Sequence, residues 1–330
     1  MPARAHFQKL VEKVRMRPPL PAAIVYPCDR DSLQTALSGA FAGYLEPVLV
    51  GPEARIRDAA LKAGLDISRL PIVDTPDDPR VAAQRAVELA RDRKAAALIK
   101  GSMSDADLLA PVAAPESGLR TERRLSHAYF VDLPGRPGGL VIADAQLNVA
   151  PNLAAKKDIV ANTIELARAL GVAAPAVALL AAMDYVTPAF AATADAAALK
   201  SMGDQGLFGA ATCEGPMTAD SALSADAARA NGAKSEIAGR PDVLIAPTME
   251  AASLLLRALT GLTSGMAAGI VLGARVPIVV SARTDSMEVR MASCVLASLV
   301  VVARATGADK AVKPAGTGTT RPAETARAAA

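Results

Sequence analysis

The segment SARTDSMEVR (281–290) sets a hydroxyl, a guanidinium and a carboxylate close together, at Ser281, Arg283 and Asp285, directly after an apolar run. Ser286 and Glu288 follow at once. An arginine fork grips phosphate through paired, charge-assisted hydrogen bonds, and a neighbouring carboxylate can move a proton. The chemistry implied is work on an anion. An N-cap at Asp285 or Ser286, with Arg283 paired to it, accounts for much of the same pattern. A second cluster opens KGSMSDADLL (100–109), where Lys100 and Gly101 end a strand-like run and Ser104 or Asp105 is placed to cap a helix. A lysine beside a helix N-terminus suits an anion; the alternative is a solvated lysine at a plain turn. In a third, GLRTERRLSH (118–127), Arg120, Arg123 and Arg124 precede another strand, which suits phosphate or is only a solvated loop.

These clusters need a frame that brings them to one mouth. AAIVYP (22–27), PVLVGP (47–52), LPIVDT (70–75) and AALIKG (96–101) are short apolar runs bounded by Pro, Gly or Asp. Such runs are expected of parallel strands covered on both faces. Between them, 31–43, 53–64 and 79–94 carry helix formers with apolar residues at i, i+3 and i+4, and Asp31-Ser32 and Asp77-Asp78 supply caps for the first and third. The alternation predicts a doubly wound α/β sheet with right-handed crossovers, whose ligand crevice lies at the carboxyl ends of its strands.

LSHAYFVDLP (125–134) and GGLVIADA (138–145), joined by Gly135-Arg136-Pro137, read as a hairpin edging that sheet. A helix over 152–170 stops at Gly171. Strands are then expected at 176–182, 207–213, 242–247, 267–273 and 276–282, and a last helix over about 285–305. The architecture expected is two α/β domains with mostly parallel sheets, broken near Asn148–Asn152. Periodicity leaves open which domain holds the final strand and helix.

Composition narrows the function. The 330 residues are 52% hydrophobic, and 36 basic against 33 acidic side chains leave +3, no nucleic-acid footprint. Four Tyr, five Phe and no Trp supply few platforms for stacking bases. Three scattered cysteines, without a CxxC, argue for a reducing cytoplasm, and two histidines are too few for a His-rich metal site. The basic N-terminus lacks the apolar core of a signal peptide, and the chain lacks an uninterrupted apolar run long enough for a membrane span. GxGxxG, GxxxxGK[ST] and GxSxG are absent. His127 could serve a nucleophile, but the adjacent Ser126 points to the opposite face of the same strand.

The order of these clusters resembles the phosphate acetyl/butyryltransferases. PCDRDSL (27–33), EPVLVGP (46–52), GLRTERRLSH, ADAQLNVAPN (143–152), NTIELARALGV (162–172), EGPMTADSAL (214–223), DVLIAPTMEA (242–251) and LGARVPIVVSARTDS (272–286) carry the likeness across most of the chain. It is closest to the branch fused to enoyl-CoA hydratases and to the phosphate butyryltransferases. The resemblance implies two α/β lobes flanking a cleft, like isocitrate and isopropylmalate dehydrogenases. The first comprises 1–147 with 280–305, the second 148–279, and 306–330 is expected to be a disordered tail. It further implies a homodimer that moves an acyl group, acetyl before butyryl, between coenzyme A and phosphate. Coenzyme A is then a substrate, with no metal and no permanent cofactor.

By the same resemblance Arg283 matches the arginine of a Ser-Arg pair and binds phosphate or the coenzyme's phosphates. Lys100 with Gly101, Arg120 with Thr121, and Ser126, His127, Asp144, Asn148 and Ser286 are the further substrate-binding residues. Making acyl-CoA requires deprotonating a thiol whose free pKa is about 8.5. Asp285 and Glu288 are the available bases, and Ser281 or Ser286 a hydroxyl donor to the tetrahedral oxyanion. The chain departs from the pattern at Ala282 (Ser in the family; Ser281 is one position early), Val289 (a carboxylate), Ala110 (an arginine) and Ala252-Ser253 (Gly-Asn). The alternative is therefore a catalytically impaired protein that binds acyl-CoA or phosphate and regulates a partner.

Overall fold

The computed structural model describes residues 5–307, so most of the tail expected to be disordered lies outside the described residues. The chain begins with α1 (Ala5–Arg15), then β1 (Leu20–Val25), α2 (Arg30–Phe41), β2 (Leu45–Gly51), α3 (Glu53–Ala63), β3 (Ile72–Asp74), α4 (Pro79–Arg91), β4 (Ala97–Lys100) and α5 (Asp105–Ala113). A hairpin of β5 (Ser126–Asp132) and β6 (Leu140–Ala143) follows, then α6 (Leu153–Ala169), β7 (Ala176–Leu180), α7 (Ala191–Asp204) and β8 (Thr212–Met217). Short α8 (Ala219–Leu223) and α9 (Ala225–Ala230) lead to β9 (Val243–Ile245), α10 (Met249–Leu262), β10 (Met266–Leu272), β11 (Ile278–Val279) and α11 (Met287–Thr306).

All the strands join one eleven-stranded sheet, in the order β3-β2-β1-β4-β11-β10-β5-β6-β9-β7-β8. The first five are mutually parallel, as are β6, β9, β7 and β8. β10 runs antiparallel to both β11 and β5, and β5 antiparallel to β6. Alternate residues of β1 feed different cores. Ile24 packs with Leu33 and Ile56 on one face, while Ala23 and Val25 pack with Ala82 and Leu108 on the other. This two-sided cover explains the unbroken apolar runs.

The hairpin lies at the centre of the sheet, not at its edge. Both of its strands are buried on both faces and find a further partner outward, β10 on one side and β9 on the other. The strand expected at 207–213 starts only at Thr212, because Gly206 and Gly209 take positive φ (81° and 66°) and turn the chain first. α2 is capped by Asp29, whose carboxylate accepts the Ser32 amide at 2.8 Å, two residues before the expected cap. The basic N-terminal segment forms α1 and sets Phe7, Leu10 and Val14, one helical face, into the core. α11 is long and apolar enough to cross a membrane, with a mean hydropathy of 1.6, yet it is a core helix: Cys294, Val295 and Leu296 are fully buried.

Candidate active site

β1, β4 and β11 are parallel and in register, so their carboxyl ends finish side by side. A cavity of about 370 Å³ opens there, lined by Lys100, Gly101, Ser281 and Arg283 together with Arg30 and Arg290. Arg283 is exposed, and among the described residues it makes no hydrogen bond or ion pair. It is therefore not the partner of a capping carboxylate. Ser286 caps α11 by accepting the Val289 amide at 3.3 Å, while Asp285 turns back to accept the Ala282 amide at 2.7 Å. Beneath this loop the buried Arg290 donates to the Ala282 carbonyl at 2.9 Å and the Asp285 carbonyl at 3.2 Å. Two charged side chains thus shape the backbone that presents Arg283. β11 ends at Val279, so strand alternation does not govern Ser281, which lines the cavity although Ala282 holds the position expected of the serine.

Lys100, only 12% exposed, ends β4 and pairs with Asp105 at 2.5 Å. Asp105 opens α5, whose N-cap is Ser104. The other Asp105 oxygen accepts Gln146 Nε2 at 2.8 Å, and Gln146 Oε1 accepts the Tyr129 hydroxyl at 2.8 Å. Sequence reasoning missed Asp105, Gln146 and Tyr129 as site residues. Gln146 stands inside the ADAQLNVAPN string, but a lone glutamine carries no signal until the fold supplies its partners. Asp144 and Asn148 build the loop that carries it: the buried Asp144 carboxylate accepts the amides of His127, Gln146 and Leu147 and the Asn148 side chain at 2.6–3.2 Å.

Other expected contacts lie elsewhere. Arg120 and Thr121 line a separate cavity of about 470 Å³ beside Gly273, where the Thr121 hydroxyl donates to the Gly273 carbonyl at 2.5 Å. Because β10 is antiparallel to β11, Gly273 neighbours the start of β11 and not the end that carries Ser281. Ser126 is buried and receives Asn162 Nδ2 at 2.8 Å. Glu288 is exposed on the first turn of α11. Among the described residues no three His, Cys, Asp or Glu side chains gather as metal ligands.

His127 is fully buried on the floor of β5, its ring 4.3 Å from that of Tyr129, and neither ring nitrogen has a hydrogen-bond partner among the described residues. Burial pushes its pKa down from 6.5 to about 4, against the opposing pull of Asp144 and Asp105. Below the ordinary value the unfolded chain takes up a proton that the folded one refuses. Stability therefore falls with pH between 6.5 and about 4, by on the order of 3 kcal/mol for this group. Urea midpoints measured across that interval should fall less steeply in His127→Leu than in the parent; equal slopes would refute the assignment.

Residues 80–298 match the family model described as phosphate acetyl/butaryl transferase. The chain is 42% identical over 298 residues to a phosphate acetyltransferase of Rhizobium meliloti, covering 90% of this chain and 94% of that relative. It is 33% identical over 294 residues to a phosphate butyryltransferase of Clostridium acetobutylicum, covering 89% and 97%. A crystal structure of a branched-chain phosphotransacylase from Enterococcus faecalis V583 superposes with a TM-score of 0.74 at 26% identity, covering 86% of this chain and 99% of that one.

Proposed function

Because this chain belongs to the phosphate acetyl/butaryl transferase family, we propose that the cavity at the ends of β1, β4 and β11 is where phosphate meets the thioester in the reaction acyl-CoA + phosphate = acyl phosphate + CoA. The observation that carries this reading is the convergence of Arg283 and Lys100 on one cavity, from two strands far apart in sequence. An anion there meets an uncommitted guanidinium, a second from Arg30, and an ammonium that spends one of its three donors on Asp105. A phosphate oxygen attacks the thioester carbonyl, the carbon–sulfur bond breaks, and the thiolate takes up a proton as coenzyme A leaves. Ser281 offers a hydroxyl to the tetrahedral oxyanion.

In the reverse direction a base must accept the thiol proton. Asp285 is the better placed of the two candidate carboxylates. It is half-buried, two residues from Arg283, with one oxygen accepting the Ala282 amide and the other left to take the proton, whereas Glu288 lies out on the exposed first turn of α11. Asn148 and Asp144 serve by holding the Gln146 loop. Arg120 and Thr121 fall outside this proposal, since their cavity is a separate one.

Two lobes, 1–147 with 280–305 and 148–279, flank the cleft in this reading, an arrangement like isocitrate dehydrogenase. The parallel blocks β3-β2-β1-β4-β11 and β6-β9-β7-β8 on either side of antiparallel β10 and β5 support two lobes, but they move β11 into the first lobe and the β5–β6 hairpin into the second, against those bounds. Cytoplasmic residence and a homodimer belong to the same proposal; the three cysteines carry no disulfide, and exposed Leu254 and Leu262 leave an apolar face on α10. The test is direct. Purified protein given acetyl-CoA should release thiol and form acetyl phosphate only when phosphate is added, faster than with butyryl-CoA. Phosphate-independent or absent thiol release would sink the reading.

A further inference from the structure

We propose that Gln146 and Tyr129 are positioning residues for phosphate, acting through Asp105 to hold the Lys100 ammonium at the cavity; this rests on the acyl-transfer reading above. The chain of contacts has a fixed polarity. An ammonium only donates, so Lys100 donates a hydrogen bond to Asp105 Oδ1 at 2.5 Å. The ionised carboxylate only accepts, so Gln146 must turn its amide nitrogen toward Asp105 Oδ2 at 2.8 Å. That leaves Gln146 Oε1 facing Tyr129, whose hydroxyl donates to it at 2.8 Å. Each partner has one orientation that satisfies the next, and reversing the Gln146 amide breaks two bonds.

The network also ties four elements together. Lys100 closes β4, Asp105 opens α5, Gln146 stands on the loop after β6, and Tyr129 lies in β5 at the centre of the sheet. The loop is itself rigid, because Asp144 collects three backbone amides and the Asn148 side chain. Tyr129 is kept a donor, since burial first, and then the charge of Asp285, push its pKa up to about 12. Gln146 therefore divides Asp105 between two partners. Without it, both carboxylate oxygens are free for Lys100, and the ammonium is drawn toward α5 and away from the anion. Phosphate, the small anion that the ammonium meets in this cavity, is the reactant that this movement penalises.

The measurement is a pair of saturation curves, phosphate varied at fixed acetyl-CoA and the reverse, for wild type, Gln146→Ala, Tyr129→Phe and the double variant. Gln146→Ala should raise the KM for phosphate about five- to tenfold while leaving the KM for acetyl-CoA within about twofold, less than the full loss of one hydrogen bond to a charged group because the contact reaches phosphate only through Asp105 and Lys100. Tyr129→Phe should move the same parameter by a smaller factor. The double variant should match Gln146→Ala alone, because both act through one contact chain. A phosphate KM unchanged in a folded Gln146→Ala protein overturns the proposal, as does a Tyr129→Phe effect that multiplies independently with it. If Gln146→Ala does not fold, Tyr129→Phe decides by the same criterion. Turnover by the wild type is measured first: its absence would count against the acyl-transfer reading, whereas normal turnover with indifferent variants counts against this network alone.

Discussion

Arg283→Ala is expected to lower kcat/KM for phosphate by about a hundredfold with no change in thermal stability. A guanidinium gives a phosphate two parallel charge-assisted bonds, each worth about 1.5–3 kcal/mol, and about 1.4 kcal/mol is a factor of ten in rate. The lower part of that range applies because the side chain is exposed and water screens it. Arg30 keeps some positive charge in the same cavity and sets a floor under the loss. Stability stays constant because, among the described residues, Arg283 makes no bond for the fold to lose. Arg283→Lys separates charge from shape: the charge returns as a point, the planar fork does not, and about a tenth of the activity should be recovered at most. Initial rates of thiol release with phosphate varied decide the matter. An Arg283→Ala protein within threefold of wild type would remove Arg283 from the reaction.

Arg283 was legible in sequence because one local segment carried it, between an apolar run and a helix start. Lys100 was legible for the same reason. What the segments could not disclose was how their charges are divided. Asp285 looked like site chemistry or an ordinary cap; its carboxylate also holds the loop backbone, together with Arg290, which carried no signal of its own, and the alternative pairing of Arg283 with Asp285 does not occur. Arg120 looked like a further phosphate contact or a solvated loop residue, and the reversed direction of β10 puts it at a separate cavity. The strands of the first half were readable because helices bury both of their faces. The hairpin was misplaced because its turn signal fixes pairing within two strands and says nothing about neighbours beyond them. Glutamine and tyrosine have no motif of their own, so Gln146 and Tyr129 gained meaning only from contacts made across long stretches of chain.

Gly101→Ala should be the most damaging small substitution in the site. Its position looked like a turn or a companion to an anion-binding lysine. The structure gives it a stricter task. Tyr26, at the end of β1, adopts a positive φ of 54°, unusual for a bulky residue, and folds its carbonyl over Gly101. The Gly101 amide donates to the Val25 carbonyl and the Ser102 amide to the Tyr26 carbonyl, both at 2.8 Å. A Cβ on Gly101 would stand 2.5 Å from the Val25 oxygen and 2.6 Å from the Tyr26 oxygen, so backbone rather than a flexible side chain must yield. Overpacking of this kind costs about 1–3 kcal/mol, and with two carbonyls to displace the upper end is expected. The same displacement separates the ends of β1 and β4 and moves Lys100, so surviving folded protein should lose at least about tenfold in activity. Gly261→Ala in α10 is the matched control, for nothing lies within 4 Å of its Cβ position, and helix propensity there favours alanine by about 0.5–1 kcal/mol. Urea unfolding should move the two variants in opposite directions. A Gly101→Ala protein as stable and as active as the parent would show that the close approach of these two strand ends is not what builds the cavity.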